Sequence, residues 1–447
     1  MNKEQFLEQF LANLEKNGSK KEQLKALRKK AMDLLNKTND KDPFTVIEDL
    51  VDEIRLESQK FLEAKNMHDT NLIHAISTCI YLPDYNNEGY KIKVIGGKVS
   101  RSIDSDYIDY NTIFDAASIT KLFTLILIFK LEEHGYFSLE DKVVDLHPDF
   151  QGLEDFTVHD LLLMVGELYT NGNIRSASNI NEAYDLLKTL YIKSHDKSRN
   201  LYTDFGSIVL GKICERLIGE KLNKEVTYDE IMAEYILKPM GLTNTKYNPV
   251  LGKDSIAATG DDSGLVHDPK ARILGGNVGS AGLFTNSDDL AKLSYEMYKV
   301  NYVNYDYMKN LISKNNLAKC GQVTFPNSNQ PHKGHLGVYQ KHPLGLGNTF
   351  VPCEYADRSF AAQGWTGSIS VFDPTNEIHN NILVGALGEK DKQDDTRYYK
   401  NNKPIGFKEY HTRYQQMITT NSLLILLVKK YYDLFEKENT INKSFKI

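Results

Sequence analysis

The sequence predicts an α+β fold, an antiparallel sheet flanked by helices and carrying an inserted helical lobe. Strand-like runs come early, at 72–82 and 90–99, and again late, at 367–372 and 381–387. Segments of helical period fill the stretch between them. One of these, opening at Ser118 and running through Leu122–Phe129, is apolar almost all the way round and so belongs inside the protein. Strands at both ends of a chain with helices between them make one sheet layer with a lobe set into it.

Residues 1–67 read as a charged helical extension. Phe6, Phe10 and Leu14 share one stripe, and Leu24, Leu27, Ala31 and Leu34 share another. Asp42-Pro43 is an N-cap and first-turn pair, after which Ile47, Leu50, Ile54 and Phe61 keep a helical period. The extension is expected to pack on the main domain, with a partner-binding arm or self-association through these helices as its alternative role. The main domain takes residues 68–440.

It opens with 72–82 and Tyr90–Val99, the latter alternating Lys-Ile-Lys-Val-Ile, around a turn-rich 84–89, which is a hairpin signature. After the central helix comes the lobe, at roughly 135–260. Helices are expected there at Val158–Val165, at Ile180–Ile192 and at 228–242, the last ending at Gly241. Another starts near Asp204 with Ile208, Leu210, Ile213 and Leu217 on its apolar side. The glycine-rich stretch 274–284 leads into a helix capped by Asn286 or Ser287, and a C-terminal helix runs from about Phe407 to Glu436.

Composition removes several function classes. With 54 Lys+Arg against 60 Asp+Glu, the 447-residue chain carries −6 and shows no basic stripe for nucleic acid. Cys79, Cys214, Cys320 and Cys353 are scattered without a CxxC spacing, so reduced thiols are expected rather than disulfides or zinc. The twelve histidines form no HExxH pattern, and the glycine-rich run lacks a Gly-Lys-Ser/Thr ending, so neither metal nor cofactor is expected. The start has no apolar core of a signal peptide, and the longest apolar runs are too short to cross a bilayer. A cytoplasmic protein is the expectation.

Chemistry concentrates at Ser118. At the first turn of a buried helix, a hydroxyl meets unsatisfied N–H groups and the positive end of the helix dipole. Lys121, three residues on, returns its amine to the same face. A buried lysine there is expected to shed its proton and accept that of the hydroxyl, which makes Ser118 a nucleophile. A second Ser-x-x-Lys, at Ser194–Lys197, lies among charged and polar residues and is set aside.

With Ser118-x-x-Lys121 on a buried helix, the chain resembles the serine beta-lactamase and penicillin-binding-protein superfamily, nearest its class C-like branch of esterases and D-alanyl peptidases. The resemblance spans about residues 71–430 and implies that superfamily's fold. The branch carries Tyr-x-Asn or Tyr-x-Asp at the start of a later helix, and Tyr202-Thr203-Asp204 fits. Tyr202 is thereby implied as the second member of a proton relay, a general base beside Lys121. The segment Gly264–Phe284 resembles the branch's Val-His-Asp … Gly-x-Ala-Gly-Leu-Phe stretch, with His267 and Arg272 as candidates to line the site. Leu237–Thr245 resembles a helix end of the same branch, ending at Gly241.

The third motif departs. Where the family has Phe-Gly-(His or Lys)-Thr-Gly-Phe-Thr-Gly-Thr, this chain has Phe360 to Ser368 with Ala362 at the basic position. Met164–Glu167 likewise replaces a His-Thr-Ser-Gly run. The resemblance implies an oxyanion hole from the backbone N–H groups of Ser118 and Trp365, which no side-chain change removes. It implies Asp204, Gln363, Gly364 and Trp365 as substrate contacts. The lost cation, which in the family favours a carboxylate on the acyl donor, points to a neutral acyl group, with Trp365 as an apolar wall.

The expected function is a serine hydrolase working through a Ser118 acyl-enzyme on an ester or amide, the substrate a small-molecule or peptide-like acyl donor. Its neighbours are an acyltransferase, a D-alanyl peptidase or beta-lactamase, and a scaffold that has lost activity.

Overall fold

The computed structural model describes residues 2–63, 73–82, 90–259, 264–299, 336, 339–340, 355–386, 399–400, 403–404 and 407–444, apart from 18, 20, 39–41, 101, 196, 198–200, 357–358 and 374. The expected hairpin turn at 84–89, and Cys320 and Cys353, lie outside the described residues.

The chain begins with helices α1 (Lys3–Lys16), α2 (Lys21–Lys37) and α3 (Pro43–Glu63), then strands β1 (Ile73–Leu82) and β2 (Tyr90–Gly97). Asn2 and Gln5 form a capping box on α1, and Asp42 accepts from the Phe44 amide at the start of α3. The short strand β3 (Phe114–Asp115) feeds a 3-10 turn, Ala117–Ile119, and the buried helix α4 (Thr120–Glu133).

The lobe follows, with α5 (Val143–Leu146), α6 (Val158–Leu163), β4 (Glu167–Tyr169), α7 (Ile180–Lys188), β5 (Tyr191–Ser194), α8 (Phe205–Leu222) and α9 (Tyr228–Met232). Then come β6 (Lys246–Tyr247), α10 (Pro269–Ile273), β7 (Leu283–Thr285) and α11 (Ser287–Lys299). The chain returns to the sheet through β8 (Tyr339–Gln340), β9 (Phe360–Gln363), β10 (Ile369–Asp373) and β11 (Ile378–Ala386), and the long helix α12 (Phe407–Ser444) lies near its end.

The main sheet has the order β2-β1-β11-β10-β9-β8. Its centre joins the two ends of the domain, since β1 runs antiparallel to β11 with Ile76 opposite Val384 and Ile80 opposite Asn380. Every residue of β1 is buried. The two-residue period explains how: Ile76, Ile80 and Leu82 meet the N- and C-terminal helices, whereas Cys79 and Tyr81 meet α11.

The stripes of α1–α3 are buried in that same core, with Leu7, Leu11, Leu27, Ala31, Leu50 and Ile54 packed among Ile418 and Leu423–Val428 of α12. The helical extension thus forms a layer of the fold. Tyr414 ties the layer down, its hydroxyl 2.7 Å from Ser58 Oγ and 2.9 Å from Thr78 Oγ1.

Two expected helices are shorter than their apolar periods. The helix at 180–192 ends at Lys188, because Leu168 and Tyr169 pair with Ile192 and Tyr191 and draw the chain into a ribbon. The helix at 228–242 is α-helical only to Met232 and widens into a π turn over Ala233–Leu237 before Gly241 turns at φ 62°. In the first of these, strand pairing overrides local period.

Candidate active site

The small sheet β3-β7-β6 aims the nucleophile. β3 ends at Asp115, and the chain turns so tightly that Ala117 takes φ 45°, an unfavourable conformation for a residue with a side chain. Buried Asp115 holds it there. One carboxylate oxygen accepts from the Ala117 amide and the other from the His267 amide, both at 2.7 Å. Ser118 therefore sits in the 3-10 turn just before α4 rather than within its first α-helical turn.

Lys121 is 1% exposed and points back toward Ser118. An ammonium has three N–H donors, and three acceptors surround this one. They are Ser118 Oγ, the Ser280 carbonyl and Asp204 Oδ1, each at 2.9 Å. The Ser280 carbonyl is positioned by the glycine-rich stretch. A side chain on Gly279 would strike the Ser207 carbonyl at 2.1 Å, so only glycine lets this turn lie against α8. Thr124, the polar break in the apolar helix, donates to the Gly279 carbonyl at 2.7 Å and fixes the same turn.

Tyr202 comes from the loop before α8, whose approach is set by the Leu201 amide donating to the Met164 carbonyl. Its hydroxyl donates to Ser118 Oγ at 2.7 Å, and Lys121 Nζ stands 5.0 Å from its ring centre. Ser118, Lys121 and Tyr202 are thus brought together.

The charge state of Lys121 differs from the expectation. Burial alone pushes the amine toward neutrality, but the Asp204 carboxylate and Tyr202 more than reverse it, and the lysine is held as a cation. Asp204 has a role that sequence reasoning did not include. Expected at the substrate, it has both oxygens engaged instead, Oδ1 by Lys121 and Oδ2 by Lys270. Burial would raise its proton affinity, yet the two lysines hold it well below the usual carboxylate range. Lys270 was not singled out in the sequence. The available signal was Asp268-Pro269, a cap and first-turn pair that starts α10 and directs Lys270 inward.

The β9–β10 turn closes the site. A Cβ on Gly364 would lie 2.7 Å from the Ala116 carbonyl, so this turn abuts the nucleophile's own backbone. Thr366 Oγ1 donates to the Asp115 carbonyl at 3.4 Å, and the Gly364 amide donates to the Ser368 carbonyl. Gln363 is half-buried at the end of β9. Trp365 is 58% exposed, its ring 4.9 Å from that of buried His267. Arg272 is a brace, donating to the Val266 and His267 carbonyls. Ala362 is buried opposite Ser370 and brings no cation to the strand. β8 pairs on the outer side of β9, so this strand is not the sheet edge.

A family model described as Beta-lactamase matches residues 96–402, most of the chain. The chain belongs to the beta-lactamase family. It is an α+β serine hydrolase of the beta-lactamase and penicillin-binding-protein type. A protein of Escherichia coli strain K12, provisionally named a D-alanyl-D-alanine carboxypeptidase, is 26% identical over 306 residues, covering 60% of this chain and 67% of that one. An N-acetylmuramyl-L-alanine amidase of Bacillus subtilis strain 168 is 26% identical over 336 residues, covering 66% and 72%. In fold, the chain is similar to a beta-lactamase/D-alanine carboxypeptidase of Pseudomonas syringae, with a TM-score of 0.59 at 16% identity over 83% of this chain and 98% of that one. Among the described residues, no helix is long and apolar enough to cross a membrane.

Proposed function

We propose that this beta-lactamase family member hydrolyses an ester or amide with a neutral acyl group through an acyl-enzyme on Ser118. The observation that carries the reading is the double contact on Ser118 Oγ, from Lys121 Nζ at 2.9 Å and Tyr202 at 2.7 Å. Because Asp204 keeps Lys121 cationic, the lysine serves as electrostatic anchor and Tyr202 as the group that moves protons.

Ser118 Oγ bonds to the carbonyl carbon as its proton passes to the Tyr202 oxygen, and the phenol's own proton moves on toward the leaving group in the same step. The oxyanion takes hydrogen bonds from the Ser118 and Trp365 amides. The proton relayed through Tyr202 reaches the leaving oxygen or nitrogen as its bond to the carbonyl carbon breaks, and Tyr202 is left a neutral phenol. Water then repeats the sequence in reverse and frees the acid. Ala362 in place of a basic residue supports a neutral acyl group, and Trp365 at the mouth supports an apolar one.

Intact-mass spectrometry of the protein with a panel of esters, amides and beta-lactams tests this. A mass increase equal to the acyl group on wild type, absent from Ser118→Ala, is expected, with neutral esters and amides ahead of substrates bearing a carboxylate. The relatives' names favour a second reading, an amidase or carboxypeptidase acting on peptides. Fluorescent penicillin attached to the wild type but not to Ser118→Ala would select it.

A further inference from the structure

Lys270 is the feature of the pocket that neither the proton relay nor the oxyanion hole uses. It sits at a prepared position. Asp268 caps α10 by accepting from the Ala271 amide at 2.8 Å, and Pro269 occupies the first turn. The Phe205 ring lies 5.3 Å from Lys270 Nζ, and the lysine is only 16% exposed where it meets Asp204 Oδ2.

Formal charges explain why such a residue would be needed. The superfamily's second motif ends in Asn or Asp, and this chain has Asp. With Asn, Lys121 alone would leave the centre one unit positive. With Asp204 the pair becomes neutral, and the attack must then build negative charge on the substrate's carbonyl oxygen without a net positive partner. Lys270 restores the surplus. The charged groups facing this centre are Lys121 from α4, Asp204 at the start of α8 and Lys270 from α10, while His267 faces Trp365. Among side chains as buried as Lys121, Asp204 and Lys270, such a surplus acts on developing charge more strongly than it would at the surface.

We infer that Lys270 is a positioning residue of this enzyme, acting through Asp204 to restore the positive charge that the Tyr-x-Asp motif removes. The inference rests on the reading of Ser118 as the nucleophile.

The test is the rate at which a fluorophosphonate labels Ser118 in the full-length protein. This probe consumes the serine hydroxyl without requiring the natural substrate. Lys270→Met is expected to label about 100-fold more slowly, the lower end of what losing one preorganised electrostatic group costs. Lys270→Arg, which keeps the charge, should stay close to wild type. The double variant Asp204→Asn with Lys270→Met returns the centre to one surplus charge and should recover most of the rate lost by Lys270→Met alone. Should Lys270→Met not fold, as judged by thermal melting, Lys270→Gln carries the same expectation.

Wild-type rates in the uncharged variant would overturn the inference. So would an Arg variant or a double variant no faster than Lys270→Met, because a purely structural lysine would leave the double variant worse. Failure of the folded wild type to label at Ser118 would overturn the hydrolase reading itself and the inference with it.

Discussion

Lys121 Nζ and Asp204 Oδ1 lie 2.9 Å apart beneath the nucleophile, and this contact decides that the lysine is a cation. A burial argument made without the carboxylate reaches the opposite charge. The pair also leaves a signature in stability. Asp204 binds its proton less readily when folded than the 3.8 of an ordinary carboxyl group, so its contribution is present above that value and is lost as pH falls below it. Lys121 binds its proton more tightly than the ordinary 10.5, so its contribution is present below that value and is lost on the alkaline side. Asp204→Asn should therefore show a shallower loss of melting temperature than wild type between pH 4 and pH 2.5, by roughly the slope of one proton. Parallel curves would refute the assignment.

Gly364→Ala tests the contact between the β9–β10 turn and the nucleophile turn. The new methyl group would meet the Ala116 carbonyl at 2.7 Å, and neither backbone can yield without moving Ala117, already held at φ 45°. A displacement of about 1 Å in a catalytic group costs around 100-fold in rate. We expect fluorophosphonate labelling of Ser118 to fall by about that factor while the protein stays folded. Unchanged labelling would mean that the turn does not set the nucleophile's position.

Legibility in the sequence followed distance along the chain. Ser118 and Lys121 were readable because three residues on a helix share a face. The six-stranded sheet was readable in outline because β1, β2, β10 and β11 carry continuous or alternating apolar runs. Tyr202 lies 84 residues from Ser118, and only the family resemblance joined them. Lys270 and the buried Asp115 had no such help. Each is an ordinary charged residue in sequence, and its role exists only because β3, α8 and α10 converge. The overrun of α7 past Lys188 has the same origin, since β4 supplies a pairing partner that a local period does not reveal.

Tyr414→Phe tests whether the N-terminal helices belong to the fold. The hydroxyl bridges Ser58 on α3 and Thr78 on β1, and all three side chains are buried. Removing it takes a partner from buried Thr78, while Ser58 keeps its bond to the Ile54 carbonyl at 2.7 Å, a cost of about 1–3 kcal/mol. Chemical unfolding should show that loss in a single transition, with hydrogen exchange rising in α3 and α12 together. Faster exchange confined to α12 would mean that the layer is not one unit.

His379 supplies the last prediction. It is 2% exposed on β11, with the rings of Tyr81 and Phe372 against it at 5.8 and 5.4 Å. Neither ring nitrogen meets a hydrogen-bond partner within the described residues. Burial therefore disfavours the imidazolium and pulls its pKa from 6.5 down to about 3. Between those values the unfolded chain holds a proton that the folded protein refuses, so stability falls as pH falls, by up to about 1.4 kcal/mol per pH unit. His379→Phe suits the aromatic surroundings and cannot titrate. Its melting temperature should decline less than that of wild type between pH 6 and pH 4, while the two proteins keep a constant difference above pH 7.5. The sign is opposite to that of a histidine stabilised by an acidic partner, so a wild type that gains stability relative to the variant on acidification would show that His379 is charged in the fold.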